Sequence, residues 1–251
     1  MTAPILITGG SQRLGLAIAQ YLNSEDFSDS IPSSTDKNTP TKNVNTRVII
    51  TYRTKKPSVE ALISQGVVAI KADFATDHGI ATFIVDLKKQ THQLRGIIHN
   101  ASDWEKETSD SNLATLFTKM MQIHASAPYQ INLACKDMFV EGADIIHMTD
   151  YVQDKGSNKH IAYAASKAAL HNLTLSFASL LAPTVKVNSI APSLLMFNES
   201  DTEAYQQKAL SKSLLEICPG AEEAVKAVKF ILSSSYITGQ VIHLNGGRNL
   251  K

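Results

Sequence analysis

The chain has 251 residues, 43% hydrophobic and 19% charged, which suits one soluble domain with a full core. A formal net charge of +1 gives no electrostatic case for nucleic acid or an anionic membrane as a partner. Cys135 and Cys218 lie far apart without CxxC spacing, so they read as buried reduced thiols rather than a disulfide framework or zinc site.

The N-terminus runs directly into an apolar stretch at 4–8 without a basic leader, and no apolar run approaches the ~20 residues of a membrane span. The expected compartment is the cytoplasm. Gly9 and Gly10 then lead into a helical pattern through Leu22. Residues 24–46 are dominated by Ser, Thr, Asn and Asp, with Pro32 and Pro40 inside, a composition that cannot offset its ordering entropy. They read as a mobile surface insertion. Strand-like runs recur at 48–52, 67–71, 96–99, 144–148, 185–190 and 240–244. Helical patterns occupy 58–64, 77–91, 112–139, 162–181, 203–215 and 221–233. This alternation predicts an α/β fold: a doubly wound, Rossmann-type parallel sheet in a three-layer α/β/α single domain spanning 1–251.

The first strand-to-helix turn, Thr8 to Gly15, is rich in glycine, and such a turn lets backbone N–H groups approach a diphosphate at a positive helix end. A tight structural turn has the same composition. Arg13 adds a positive charge there. At the end of the second strand, a carboxylate would suit the ribose 2′-OH of NAD and a basic group the 2′-phosphate of NADP. Arg53, Thr54, Lys55 and Lys56 follow Tyr52 with no acid among them, which favours NADPH, with Arg53 and Thr54 on the phosphate.

Three tyrosines precede a lysine by four residues: Tyr52/Lys56, Tyr151/Lys155 and Tyr163/Lys167. Pro57 follows the first pair, and the second lies in a polar turn leading to Gly156. Only Tyr163 opens a long helical pattern, where spacing of four puts both side chains on one face. A neighbouring ammonium favours phenolate, so Lys167 is expected to lower the Tyr163 pKa and make its hydroxyl a proton-transfer group. Asp150 lies thirteen residues upstream; taken alone, an Asp after a strand is a turn former or helix cap. The eight histidines form no HExxH or His/Cys cluster, so no metal is expected.

The glycine turn, Asp73, Asn100 with Ala101, Tyr163/Lys167 and the 237–240 stretch together resemble the short-chain dehydrogenase/reductase family over nearly the whole chain except 24–46. Arg13 in the glycine turn, Asp150 in place of the usual serine, Trp104 after Asn100, Ala101 and Ser102, and Ser193 after Pro192 narrow the likeness to pteridine-reducing members. That resemblance implies NADPH-dependent reduction of 7,8-dihydromonapterin to tetrahydromonapterin, with weak activity on dihydrofolate. It implies Tyr163, Lys167 and Asp150 as catalytic residues. Gly9, Ser11, Arg13, Leu14, Arg53, Thr54, Asp73, Asn100, Ala101, Lys167 and Pro192 are expected on the cofactor. Arg13, Ser102, Trp104, Asp150 and Tyr163 are expected on the substrate, Trp104 by stacking on the pterin ring.

His124 falls where the family has an asparagine that organises a proton-carrying water, and a core histidine is the other reading. Met196 and Phe197 fall on the family's substrate lid, or else fill core. The patterns at 112–139 and 162–181 match the helices through which the family forms homodimers and homotetramers. The alternatives are an NADPH-dependent carbonyl or 3-oxoacyl reductase, and a non-enzymatic cofactor sensor or scaffold. A carboxylate at Asp150 suits a polar heterocycle better than the oxyanion of a reduced carbonyl, which speaks against the first.

Overall fold

In a computed structural model of the chain, the structure describes residues 3–24, 27 and 48–251. The stretch 24–46 expected to be a mobile insertion lies outside the described residues, apart from Ser24 and Phe27. Among the described residues, seven strands form a single parallel sheet: β1 (Ile5–Thr8), β2 (Val48–Tyr52), β3 (Val68–Lys71), β4 (Leu94–His99), β5 (Phe139–Met148), β6 (Val185–Pro192) and β7 (Val241–Leu244). Their spatial order is β3-β2-β1-β4-β5-β6-β7. The register pairs Ile5 with Val48 on one side and with Gly96 on the other.

The expected doubly wound sheet is present because the strands are apolar on both faces. Ile5 and Ile7 join the side formed with α1 (Arg13–Leu22), α2 (Pro57–Ser64) and, later in the chain, the helix Glu222–Ser233. Leu6, between them, faces the opposite layer with Ile80, Phe83 and Leu87 of α3 (Asp77–Gln90). Each fully buried Ile, Leu or Phe contributes about 1.5–3 kcal/mol, so a strand that buries both faces is held far more firmly than an edge.

Elsewhere the helices depart from the simple pattern. The predicted helix 112–139 is α4 (Leu113–Met121), a π turn (Gln122–Ser126) and α5 (Ala127–Cys135). Pro128 has no N–H to donate, which removes one bond of the ladder at this junction. Phe139 belongs to β5, which begins five residues earlier than the 144–148 run because Phe139 pairs with Leu94. The turn expected after Tyr151 contains a single-turn helix, α6 (Val152–Lys155). Next come α7 (Ile161–Leu181), α8 (Glu203–Leu210) and α9 (Glu222–Ser233). The pattern expected to continue to 215 stops at Leu210, and Leu215 N–H instead donates to Gly246 C=O at 3.1 Å. Among the described residues, no helix is long and apolar enough to cross a membrane.

Candidate active site

Strand order reverses between β1 and β4, and at such a switch point the loops beyond the carboxyl ends part to leave a crevice. A cleft of about 410 Å³ lies there, lined from six strand ends: Gly9, Arg53, Asp73, Asn100, Asp150 and Ser193 each come from a different one. Leu14, Ala101, Ser102, Trp104, Tyr163, Lys167 and Pro192 also line it, as do Ser11 and Arg13. Thr54, expected beside Arg53, does not line the cleft.

The glycine turn is fixed from both sides. Gly9 N–H donates to Thr51 Oγ1 at 2.9 Å and Gly10 N–H to Thr51 C=O at 3.0 Å. Asn100 Nδ2 donates to the carbonyls of Thr8 and Gly9, at 3.2 and 3.0 Å. Gly9 has φ +67°, and a side chain at Gly15 would place its Cβ 2.3 Å from Gly9 O. The first N–H groups of α1 have no intrahelical acceptor and Gln12 makes no side-chain cap, so they are available to an anion. Arg13 and Arg53 stand beside this turn and no carboxylate follows β2, a donor set that fits a dinucleotide carrying a 2′-phosphate. Arg53 reaches Asp103 across the cleft at 3.2 Å, and Lys119 meets the same carboxylate at 3.1 Å. Asp103 is held below its ordinary value: burial pushes it up, but Lys119 and Arg53 prevail.

At the other end of the cleft, α7 brings Tyr163 and Lys167 to Asp150, the residue after Thr149 at the end of β5. Tyr163 OH donates to Asp150 Oδ2 at 2.9 Å, and Val152 N–H donates to Asp150 Oδ1 at 3.0 Å. Asp150 is thus both the turn former and the tyrosine's partner. Lys167 Nζ donates to Met148 C=O at 2.9 Å and lies 5.6 Å from the Tyr163 ring centroid.

The expected depression of the Tyr163 pKa is not what the geometry produces. Burial and then the Asp150 carboxylate raise it well above its ordinary value, with Ser102 opposing weakly. Burial likewise raises Asp150, against the N–H of Val152 and the charge of Lys167, and lowers Lys167 to about 8. Burial and the facing carboxylate therefore disfavour the phenolate form of Tyr163, which keeps its hydroxyl proton on the hydrogen bond to Asp150.

His124 is buried inside the π turn with both ring nitrogens engaged. Asp103 N–H points at Nε2 from 3.3 Å, so that nitrogen accepts, and Ser102 Oγ lies 2.8 Å from it. Nδ1–H then donates to Ser166 Oγ at 2.8 Å, and Ser166 donates to Tyr163 C=O at 2.7 Å. Burial, then Lys167, lowers the imidazole well below its ordinary pKa, so it stays neutral. His124 is a core histidine that ties Ser102 to the tyrosine helix. Trp104 is 63% exposed and stacks on His160 with centroids 4.2 Å apart, leaving a broad indole surface on the cleft.

Of the two lid candidates, Met196 packs against the core and neither it nor Phe197 lines the cleft. Cys135 is buried, whereas Cys218 is half-buried, with Sγ 3.2 Å from Leu195 O. Two site-shaping residues had no local sequence signal. The Glu107 carboxylate accepts from Ile161 and Ala162 N–H at 3.1 and 2.8 Å, capping α7 from 54 residues away. Arg248 lies over the Tyr151 ring at 4.5 Å, and its charge opposes the burial that raises the Asp150 pKa. Both contacts exist only once distant loops are packed together.

A family model described as enoyl-(acyl carrier protein) reductase matches residues 41–249. Dihydromonapterin reductase of Klebsiella pneumoniae subsp. pneumoniae is 46% identical over 252 residues, covering 99% of this chain and 97% of the relative. The protein of the same name from Enterobacter sp. is 47% identical over 251 residues, covering 98% and 97%. Among solved structures, FolM alternative dihydrofolate reductase 1 from Brucella suis, in complex with NADP, superposes with a TM-score of 0.82 at 24% identity. It is matched over 100% of this chain and 96% of its own, and the likeness shows the shared fold.

Proposed function

The chain belongs to the short-chain dehydrogenase/reductase family, and from that premise we propose that it reduces 7,8-dihydromonapterin to tetrahydromonapterin with NADPH, acting more weakly on dihydrofolate. The observation that carries this reading is the Tyr163–Asp150 hydrogen bond in a cleft whose opposite end is built for a phosphorylated dinucleotide. The activity named for the enterobacterial relatives supports it. Gly9, Ser11, Arg13, Leu14, Asn100 and Ala101 hold the dinucleotide, Asp73 its adenine end, and Arg53 its 2′-phosphate. Pro192 and Lys167 hold the nicotinamide end.

Bound NADPH supplies a hydride, which C6 of the pterin C6=N5 bond accepts. The protein then has to deliver one proton to N5. Asp150 and Tyr163 hold that proton between them, and Lys167 keeps positive charge beside the pair. A carboxylate also accepts hydrogen bonds from the amino and ring N–H groups of a pterin, which a serine at Asp150 would do less well. Ser102 and Trp104 border the same space, and the indole offers a face for the flat bicycle.

We further propose a cytoplasmic homodimer or homotetramer. The exposed Leu113, Phe117, Tyr129 and Leu133 on α4 and α5, with Leu175 and Leu180 on α7, give such an assembly an apolar face.

Dihydromonapterin, dihydrofolate and a 3-oxoacyl thioester, each offered with NADPH, test the proposal. Rapid oxidation with the pterin, slow with dihydrofolate and none with the thioester is expected. Turnover of the thioester alone contradicts it.

A further inference from the structure

Arg53, the residue given to the 2′-phosphate, already has an anionic partner. Its Nη1 lies 3.2 Å from Asp103 Oδ2, a carboxylate 50 residues further along the chain. Arg53 follows β2 and Asp103 lies in the loop after β4, with β1 between those two strands in the sheet. The ion pair therefore spans the carboxyl end of β1, where the glycine turn begins. Arg53 lines the cleft, and so do Ser102 and Trp104 on either side of Asp103. The other basic groups of the turn are committed elsewhere: Lys55 pairs with Glu60 at 3.3 Å, Lys56 donates to Gln12 Oε1, and neither lines the cleft.

Asp103 is held in place without Arg53. Lys119 of α4 meets the same Oδ2 at 3.1 Å, and Trp104 N–H donates to Oδ1 at 3.1 Å. The Asp103 N–H points at His124 Nε2 from 3.3 Å, and Glu105 holds Lys119 at 2.8 Å. Arg53 is the more exposed member of the pair, its side chain 62% accessible against 24% for Asp103. A guanidinium has several donors but one positive charge. A phosphate arriving at Arg53 therefore meets a charge that a fixed carboxylate already neutralises, and two anions on one cation repel each other. A dinucleotide with a free 2′-OH brings no charge there and meets no such competition.

We propose that Asp103 is a specificity-determining residue for the cofactor: it competes with the 2′-phosphate for Arg53 and so narrows the margin by which the site prefers NADPH over NADH. The inference rests on the contact between Arg53 and the 2′-phosphate proposed above. When the phosphate takes Arg53, Lys119 stays on Asp103, so the loop that carries Ser102 and Trp104 keeps its partners.

Asp103→Asn removes the charge and keeps an oxygen for Trp104 N–H. Its Kd values for NADPH and NADH come from fluorescence titration, and those for adenosine 2′,5′-bisphosphate and 5′-AMP from competition. An exposed ion pair is worth up to about fivefold in an equilibrium constant, and relief of the repulsion between carboxylate and phosphate adds to it. Asp103→Asn is expected to bind NADPH and the bisphosphate at least about threefold more tightly, with NADH and 5′-AMP changed by less than about twofold. In an Arg53→Ala background the same substitution is expected to gain less than about twofold for NADPH, because the guanidinium they compete for is gone. A smaller gain in Asp103→Asn, an equal gain for NADH, or a gain undiminished by Arg53→Ala overturns the proposal. Arg53→Ala without loss of NADPH affinity overturns both the proposal and the contact on which it rests. All these readouts are binding constants, so they decide the matter whichever substrate the chain turns over.

Discussion

Tyr163 and Lys167 are four residues apart on one helix, yet the lysine does not set the tyrosine's acidity; burial and the facing Asp150 do. The spacing on α7 was legible in the sequence because helical periodicity fixes it. The sign of the pKa shift was not, because it depends on which group meets the hydroxyl across the sheet. Removing the hydroxyl in Tyr163→Phe lowers kcat for the pterin by about 100- to 10,000-fold, the range for loss of a proton-transfer group, while a fluorescence titration finds NADPH binding nearly unchanged. A loss of less than about threefold removes Tyr163 from the relay. Lys167, lowered to about 8 by burial, is charged below that pH and neutral above it. If its charge supports the site, kcat/KM falls as pH rises through about 8; a profile flat across that point contradicts the role given to Lys167.

The strands were read from short apolar runs, and β2 has the bounds its sequence suggests because both of its faces are buried. The single helix expected across 112–139 is interrupted without a break in its apolar pattern, which continues through the π turn that moves His124 into the wall between Ser102 and Ser166. Nothing in periodicity marks a one-residue change of winding. The cap on α7 was equally hidden, since Glu107 reaches Ile161 and Ala162 from a distant loop. A lost cap costs about 1 kcal/mol. Glu107→Ala is therefore expected to lower the melting temperature slightly and to reduce kcat for the pterin several-fold, because α7 carries both Tyr163 and Lys167. Thermal unfolding alongside steady-state kinetics checks this; a lower melting temperature with unaltered kcat would confine Glu107 to stability.

Across the whole molecule, polar groups inside the sheet set a pH limit. His99 Nε2–H donates to Asn132 Oδ1 at 2.7 Å, and His147 Nδ1 contacts Thr174 Oγ1 at 2.8 Å. Burial lowers His99 to about 4 and His147 well below its ordinary value. The folded chain thus resists a proton that the unfolded chain accepts below about pH 6.5, and the stability held above that pH is lost as pH falls towards about 4. For His99 the shift corresponds to about 3 kcal/mol. Asp144 and Asp150, both raised by burial, act in the opposite sense, so the share of His99 is read by difference. Melting temperatures of the wild type are expected to fall more steeply than those of His99→Gln between about pH 7 and about pH 4.5; parallel curves would contradict the assignment. The parallel sheet was legible because strand and helix alternate along the chain; the crevice at its switch point follows from the strand order, which alternation alone does not give. The hydrogen bond from Arg13 Nη1 to Asn198 Oδ1, at 2.8 Å, was not legible, because only the closed fold brings those two residues together.

Asp150, bonded to the Tyr163 hydroxyl, is the residue proposed to fit an otherwise ordinary reductase site to a pterin. The most direct test is kcat/KM for dihydromonapterin in Asp150→Ser against the wild type. A fall of at least about 100-fold with NADPH binding retained is the predicted result. A value within about twofold of the wild type would leave Asp150 a turn former with no part in pterin reduction.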